Sequence, residues 1–317
     1  MRTRTRAAFI GVASDLGAPM AGARLSPLHL AAAGLFARWP TERRLAMVTM
    51  IEASGAPQGR DIAALARLSD RLEQTVAAIM RDANTLPVIV SGDHSSAIGT
   101  WRGVARALRQ CGAVDAAPGL LWLDAHMDAH TPQSSLSGAL HGMPLAVLLG
   151  EGDARLLMQP APLDPAHVVL VGVHSFESAE ADRLARLGVR IHSRAEVRDR
   201  TLAVVLNEAL LQVRASSAGW GLTLDMDVID PDEAPGVNTP VPGGLSAAEL
   251  IDALSSIAGG AGGQHPGAFS DEAARPGRLL AIELTEYNPE RDKGERTARL
   301  VESLLRCLLI APRGANV

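Results

Sequence analysis

Three short runs hold most of the residues able to do chemistry: "SGDHS" (91–95), "LDAHMDAH" (123–130) and "LDMDVIDP" (224–231). In the second, Asp124, His126 and Asp128 occupy alternate positions and His130 follows them; Asp225 and Asp227 repeat the spacing in the third, and His94 adds a nitrogen from the first. On an extended segment, alternation sets such residues on one side of the chain. They amount to two imidazoles and four carboxylates, with no thiol. Six ligands of this kind suffice for two divalent cations about 3.5 Å apart when a carboxylate bridges them. Oxygen-rich, thiol-free sets favour manganese or magnesium over structural zinc. Without metal, four crowded carboxylates would repel one another and raise one another's pKa values. A lone D-x-H or D-x-D is ordinarily a solvated turn or a helix cap. Three such motifs together favour metal, because isolated buried carboxylates are so costly.

Positioning these groups requires a scaffold, and the chain offers eight short apolar runs: 7–13, 45–50, 86–92, 119–125, 167–173, 188–193, 220–228 and 278–284. They are nearly continuous in apolar residues, which suits strands covered on both faces of a parallel sheet. Helical patterns lie between them, among them 61–83 and 200–216, and a last helix spans about 291–311. The fold expected is α/β: a single domain over 1–317, with a mostly parallel central sheet of about eight strands and helices on both faces. The Gly/Pro-rich stretch 259–277 joins a helix to a strand and is expected to be a flexible insertion on the face away from the motifs. Ligands of such sheets bind at the carboxyl ends of strands. There the motifs fall, ending the third, fourth and seventh runs, while "HSFE" (174–177) and "ELTEYNP" (283–289) end the fifth and eighth.

Bulk properties exclude several classes. Over 317 residues, 47% are apolar, enough for a sizeable core, and the net charge is −5. No basic block is present to attract nucleic acid or an anionic membrane; "MRTRTR" is too short. "AAFIGVA" is too short for a signal-peptide core, and no run approaches a membrane span. Cys111 and Cys307 read as core residues of helices, which points to a reducing cytoplasm.

"SGDHS", "WLDAHMDAHTP", "SGALHGMP" and "LTLDMDVIDPDEAPGVNTPVPGG" closely resemble the ureohydrolases and, among them, the arginases. "IGVASDLGAPMAGARLSP" is similar to the arginase opening and "VESLLRCLL" to the tail of bacterial arginases, so the resemblance covers nearly the whole chain. It implies two Mn2+ per chain, one held by His94, Asp124, Asp128 and Asp225 and the other by Asp124, His126, Asp225 and Asp227, with Asp124 and Asp225 bridging. It also implies a hydroxide shared by the two metals that attacks a guanidinium carbon, aided by Asp128; His141 as proton shuttle; Glu286 as the partner of the cationic guanidinium; and Thr239 near that glutamate. Glu283 competes with Glu286 on charge alone, but the "EYNP" spacing favours Glu286. The implied assembly is a homotrimer or homohexamer acting on a small guanidino molecule.

The chain departs from the arginase pattern where arginine's amino-acid head is held. His130 stands in place of an Asn and Ala139 in place of a second Asn, while Ser137 is kept; Glu177 stands where arginases place an Asp. Loss of one amide donor weakens such a pocket by about 1–2 kcal/mol. Ser137 and His130 can still serve a carboxylate and Glu177 an α-amino group, which keeps L-arginine first. Agmatinase, guanidinobutyrase and formiminoglutamase activities are the alternatives, together with a catalytically silent metal-binding homologue. A one-metal zinc deacetylase fits less well, because the Asp-rich motifs are doubled.

Overall fold

The computed structural model describes residues 6–35, 46–53, 59–113, 115–259 and 277–309. In chain order the elements are β1 (Arg6–Ala13), α1 (Ser26–Ala32), β2 (Ala46–Glu52), α2 (Ile62–Ile79), β3 (Thr85–Ser91), α3 (Ala97–Gln110), β4 (Gly119–Leu123), α4 (Pro144–Leu148), β5 (Val168–Val173), α5 (Ser178–Leu187), β6 (Arg190–Ser193), α6 (Arg194–Arg200), α7 (Leu202–Arg214), β7 (Trp220–Asp225), α8 (Ala247–Gly259), β8 (Leu279–Thr285) and α9 (Arg296–Leu309). The strands form one sheet in the order β2-β1-β3-β8-β7-β4-β5-β6, and every pairing is parallel.

The continuous apolar runs have the expected cause. In β4, Leu121 and Leu123 enter one core with the inward faces of α7, α8 and α9, whereas Leu120 and Trp122 enter the other with α2 and α3. Both faces of the sheet are therefore covered, and polar alternation would bury unpaired groups. On α2, Leu65, Leu68, Leu72 and Val76 recur at helical spacing and are buried, and Asp61 starts the helix by accepting from the Ala64 amide at 2.9 Å.

Four adjacent strands, β3, β8, β7 and β4, point their carboxyl ends at one place. Registers there are level: Val90 pairs with Leu284, Leu224 with Leu284 and Leu123 with Leu224. Gly92 lets the chain past β3 approach the end of β1, since a Cβ there would lie 1.7 Å from the Ser14 carbonyl oxygen.

Several boundaries differ from the sequence expectation. β4 stops at Leu123, β7 stops at Asp225 and Met226–Val228 form a 3-10 turn. Asp124 to Asp128 therefore do not lie on an extended segment, and Asp128 has φ +49°. Cys111 is exposed just past α3 and is not a core residue; Cys307 on α9 is half-buried. The insertion 259–277 lies outside the described residues apart from its end residues, Gly259 and Gly277.

Candidate active site

The spacing of two between ligand candidates is a turn device. Asp124 Oδ1 accepts from the His126 amide at 2.7 Å, and Asp225 Oδ1 accepts from the Asp227 amide at 2.8 Å. An aspartate that bonds the amide two residues on bends the chain back, so both members of each pair end near one point. Alternation on a strand gives the same spacing for a different reason.

His94 follows β3 in a single turn started by Asp93, whose side chain accepts from the Ser95 amide at 2.9 Å. The His94 ring is buried and stacks on Trp122, centroids 4.4 Å apart. Its Nδ1 lies 3.1 Å from Asp124 Oδ2, 3.0 Å from Asp128 Oδ2 and 3.1 Å from Asp225 Oδ2. His126 Nδ1 lies 3.5 Å from Asp124 Oδ1 and 3.1 Å from Asp227 Oδ2. Two donor groups thus form, His94–Asp124–Asp225 and Asp124–His126–Asp227, sharing Asp124.

This donor set fits a pair of cations, and the tautomer of His94 shows why. Thr223 gives its hydroxyl hydrogen to Glu283 Oε2 at 3.2 Å, so its oxygen accepts from His94 Nε2–H at 3.0 Å. In the neutral ring Nδ1 is then a bare lone pair facing three carboxylates, with no hydrogen-bond partner of its own. Only a proton or a metal ion on Nδ1 relieves that arrangement. Burial disfavours a charged His94, yet Asp124, Asp128 and Asp225 outweigh it and hold the pKa well above the usual imidazole value. The carboxylates respond in kind. Burial and the charge of Asp124 push Asp128 up to about 7, and burial with Asp227 and Asp124 pushes Asp225 well up. Burial would also raise Asp124, but bonds from His126 and His94 hold it below the carboxylate range.

A cavity of about 170 Å³ opens beside this cluster, and His126, Asp128, Asp225 and Asp227 are in its wall. His141, Ser137, Ala139, His130, Glu177 and Thr239 are there too. His141 is placed by its amide on Gly17 O at 3.0 Å and by Leu140 N on Gly59 O at 2.8 Å. Its Nδ1 lies 3.1 Å from Glu286 Oε1. Burial lowers the His141 pKa, but pairing with Glu286 overrides this and brings it to about 9. Glu286 follows β8 at φ +64°, is 1% exposed and accepts from the His94 amide at 3.0 Å. Its Oε2 is buried without a hydrogen-bond partner among the described residues. It is not a lining residue of the cavity and reaches the wall through His141.

The Thr239 hydroxyl donates to Asp227 Oδ2 at 2.8 Å, which ties it to the second donor group. His130 Nδ1 is 3.0 Å from Ser134 Oγ, while Nε2 bonds Glu177 Oε2 and lies 3.3 Å from Glu180 Oε2, so the ring that was to serve a carboxylate is already engaged. Glu180 was not singled out from the sequence. Its signal was present in "ESAE" (177–180), the spacing of a reciprocal capping box, and Glu177 and Glu180 do cap each other's amides at the start of α5. The buried Thr223–Glu283 pair behind His94 carries no local motif: Glu283, the competitor of Glu286 on charge, accepts from Thr223 and Thr100 behind the site.

These features define a candidate metal centre on a doubly covered parallel sheet, and comparison with known proteins supplies the class. The Arginase family model matches residues 5–311. The chain is 30% identical over 309 residues to the arginase of Bacillus caldovelox, which covers 94% of this chain and 95% of that one. It is 31% identical over 307 residues to the arginase of Brevibacillus brevis, with the same coverages. The crystal structure of Bacillus subtilis arginase superposes with a TM-score of 0.82 at 28% identity, covering 96% of this chain and 98% of that one. The formimidoylglutamase of the same species, at 21% identity and a TM-score of 0.72, shares the fold. The chain belongs to the arginase family, the ureohydrolases that cleave C–N bonds of amidines.

Proposed function

We propose that the protein is a binuclear manganese hydrolase of a guanidino substrate, with L-arginine, giving L-ornithine and urea, as the first substrate to test. The observation that carries this is the buried Nδ1 of His94, without a hydrogen-bond partner and 3.0–3.1 Å from three aspartate oxygens, beside a second group that shares Asp124. His94, Asp124, Asp128 and Asp225 would hold one ion; Asp124, His126, Asp225 and Asp227 the other. Bound there, two divalent cations supply Lewis-acid activation of water near neutral pH. An all-oxygen-and-nitrogen donor set suits manganese.

The chain's own groups do the rest. Glu286 attracts a cationic guanidinium and, through Oε1, orients His141. With Nδ1 on Glu286, His141 Nε2 is the atom left to give a proton to the departing amine, and a pKa near 9 keeps it charged at neutral pH. Thr239 fixes Asp227, and Trp122 Nε1 fixes Asp124 Oδ2 at 2.8 Å. Ser137 in the wall offers a hydroxyl to the substrate tail, with His130 and Glu177 beside it. No helix among the described residues is long and apolar enough to cross a membrane; a cytoplasmic, single-domain enzyme acting on a small molecule, without nucleic acid, completes the reading. Self-association as a trimer or hexamer has candidate contacts in Val204 and Leu211, exposed at 44% and 75% two turns apart on α7.

The test is manganese-reconstituted protein assayed for urea release with L-arginine, agmatine and 4-guanidinobutyrate and for formamide and glutamate release with formiminoglutamate, with metal counted per chain. Two ions and urea from L-arginine are expected. Agmatine or 4-guanidinobutyrate turning over well above L-arginine would move the assignment to agmatinase or guanidinobutyrase. Two ions with no turnover of any compound would leave a silent homologue.

A further inference from the structure

The tail end of the cavity is asymmetric in what it can still bond. On one side, Ser135 and Ser137 each accept a peptide hydrogen, from Gly138 N at 3.0 Å and Ala139 N at 3.2 Å. Their own hydroxyl hydrogens are what remain to give. The two hydroxyls share one contact at 3.3 Å, which uses one of those hydrogens and leaves the other for a ligand. The Arg60 guanidinium holds the same loop through Ser137 O, at 3.0 Å from Nε and 2.6 Å from NH2. A free hydroxyl hydrogen beside a fixed cation suits an acceptor that carries negative charge.

On the other side stand the acceptors, Glu177 and Glu180, and they are taken. Glu180 is 4% exposed; its Oε1 accepts from Ala129 N at 3.1 Å and its Oε2 from Glu177 N at 3.0 Å. His130 Nε2 sits on Glu177 Oε2 and 3.3 Å from Glu180 Oε2. The ring therefore places a nitrogen donor where a ligand ammonium would find two carboxylates. What is left of Glu177 is its outer face, the side chain being 62% exposed, where water screens any pairing.

We propose that His130 replaces the ligand's ammonium with a side chain of the protein itself, so that the tail subsite reads a carboxylate and is indifferent to an α-ammonium. The preferred substrate class is then the ω-guanidino carboxylates as a whole, with L-arginine one member. This rests on the guanidino-hydrolase reading above and narrows it.

The experiment compares kcat/KM of the manganese-loaded protein for L-arginine, for its des-amino analogue 5-guanidinopentanoate, and for agmatine, which keeps a terminal ammonium and lacks the carboxylate. L-arginine and 5-guanidinopentanoate should agree within about fivefold, the worth of a screened ion pair. Agmatine should fall about tenfold or more below both, the worth of a hydrogen bond to a charged group. H130A frees both glutamates and should raise the ratio of L-arginine to 5-guanidinopentanoate by about tenfold; H130Q, which keeps an N–H on them, should return the ratio toward that of the wild type. Both variants are checked for two manganese ions per chain. A wild-type ratio near a hundredfold in favour of L-arginine, agmatine matching L-arginine, or an H130A ratio unchanged at full metal content would each overturn the proposal. No product from any of the three compounds would instead overturn the guanidino-hydrolase reading itself.

Discussion

His141 and Asp227 touch the same cavity but are held by different partners, and removing them should have different consequences. His141 bonds Glu286 and backbone atoms and belongs to neither donor group. We expect His141→Ala to lower kcat by about 10²- to 10⁴-fold, the usual worth of a positioned proton donor, while metal content by mass spectrometry stays near that of the wild type. Asp227 belongs to the donor group of His126 and not to that of His94. Asp227→Ala should therefore bind one manganese ion tightly and lose the second, which titration calorimetry reads as a change in stoichiometry from two toward one. Loss of both ions together would mean that the two groups do not act separately.

The ends of elements carry the site, so their caps can be tested directly. The start of α5 is tied to the 129–131 segment by Glu180, which pairs with His130. Burial would raise the Glu180 carboxyl, but the bond from His130 holds it below its usual 4.5. A depressed acid contributes stability above its unfolded pKa and loses it as pH falls through the folded one. His130 is raised above 6.5, first by Glu180, and a raised base contributes below 6.5 and loses its contribution as pH rises through the folded value. The stability difference between wild type and Glu180→Gln should thus be largest between about pH 4.5 and 6.5 and shrink on both sides, as followed by denaturant unfolding across pH. At the end of β3, Gly92→Ala drives a Cβ into the Ser14 carbonyl. It should destabilise by about 1–3 kcal/mol or more, as overpacking does, and weaken metal binding, because His94 is two residues on.

For the molecule as a whole, metal held among the crowded aspartates would make folding and metal binding one equilibrium. Chelation should lower the thermal midpoint, and manganese should restore it. The gain is about 2.7 kcal/mol at a free concentration one hundred times Kd, and a midpoint indifferent to manganese would count against the two-ion centre. The two thiols supply an independent check on packing. Cys111 is exposed, whereas burial pushes the Cys307 thiol up to about 11. An aromatic disulfide reagent at pH 8 should titrate one thiol in the folded protein and the second only on unfolding.

The eight strands were legible because both faces of the sheet are covered, so each strand left an uninterrupted apolar run that local composition reveals. The candidate ligands were legible because an aspartate that bonds the amide two residues on imposes a fixed spacing, although that spacing first read as strand alternation. His130 and Glu177 were legible as polar residues at strand ends, but their bonding was not: His130 meets Glu177 and Glu180 across 47 and 50 residues of chain, contacts that no local pattern encodes. The sequence by itself determined the residue types, the strand order along the chain and hence the family and its chemistry. Tertiary structure alone decided that β3, β8, β7 and β4 stand side by side, because strand neighbours are chosen by packing of distant segments. It likewise decided that His130 meets Glu177 and Glu180 at the cavity wall, a contact made only by folding.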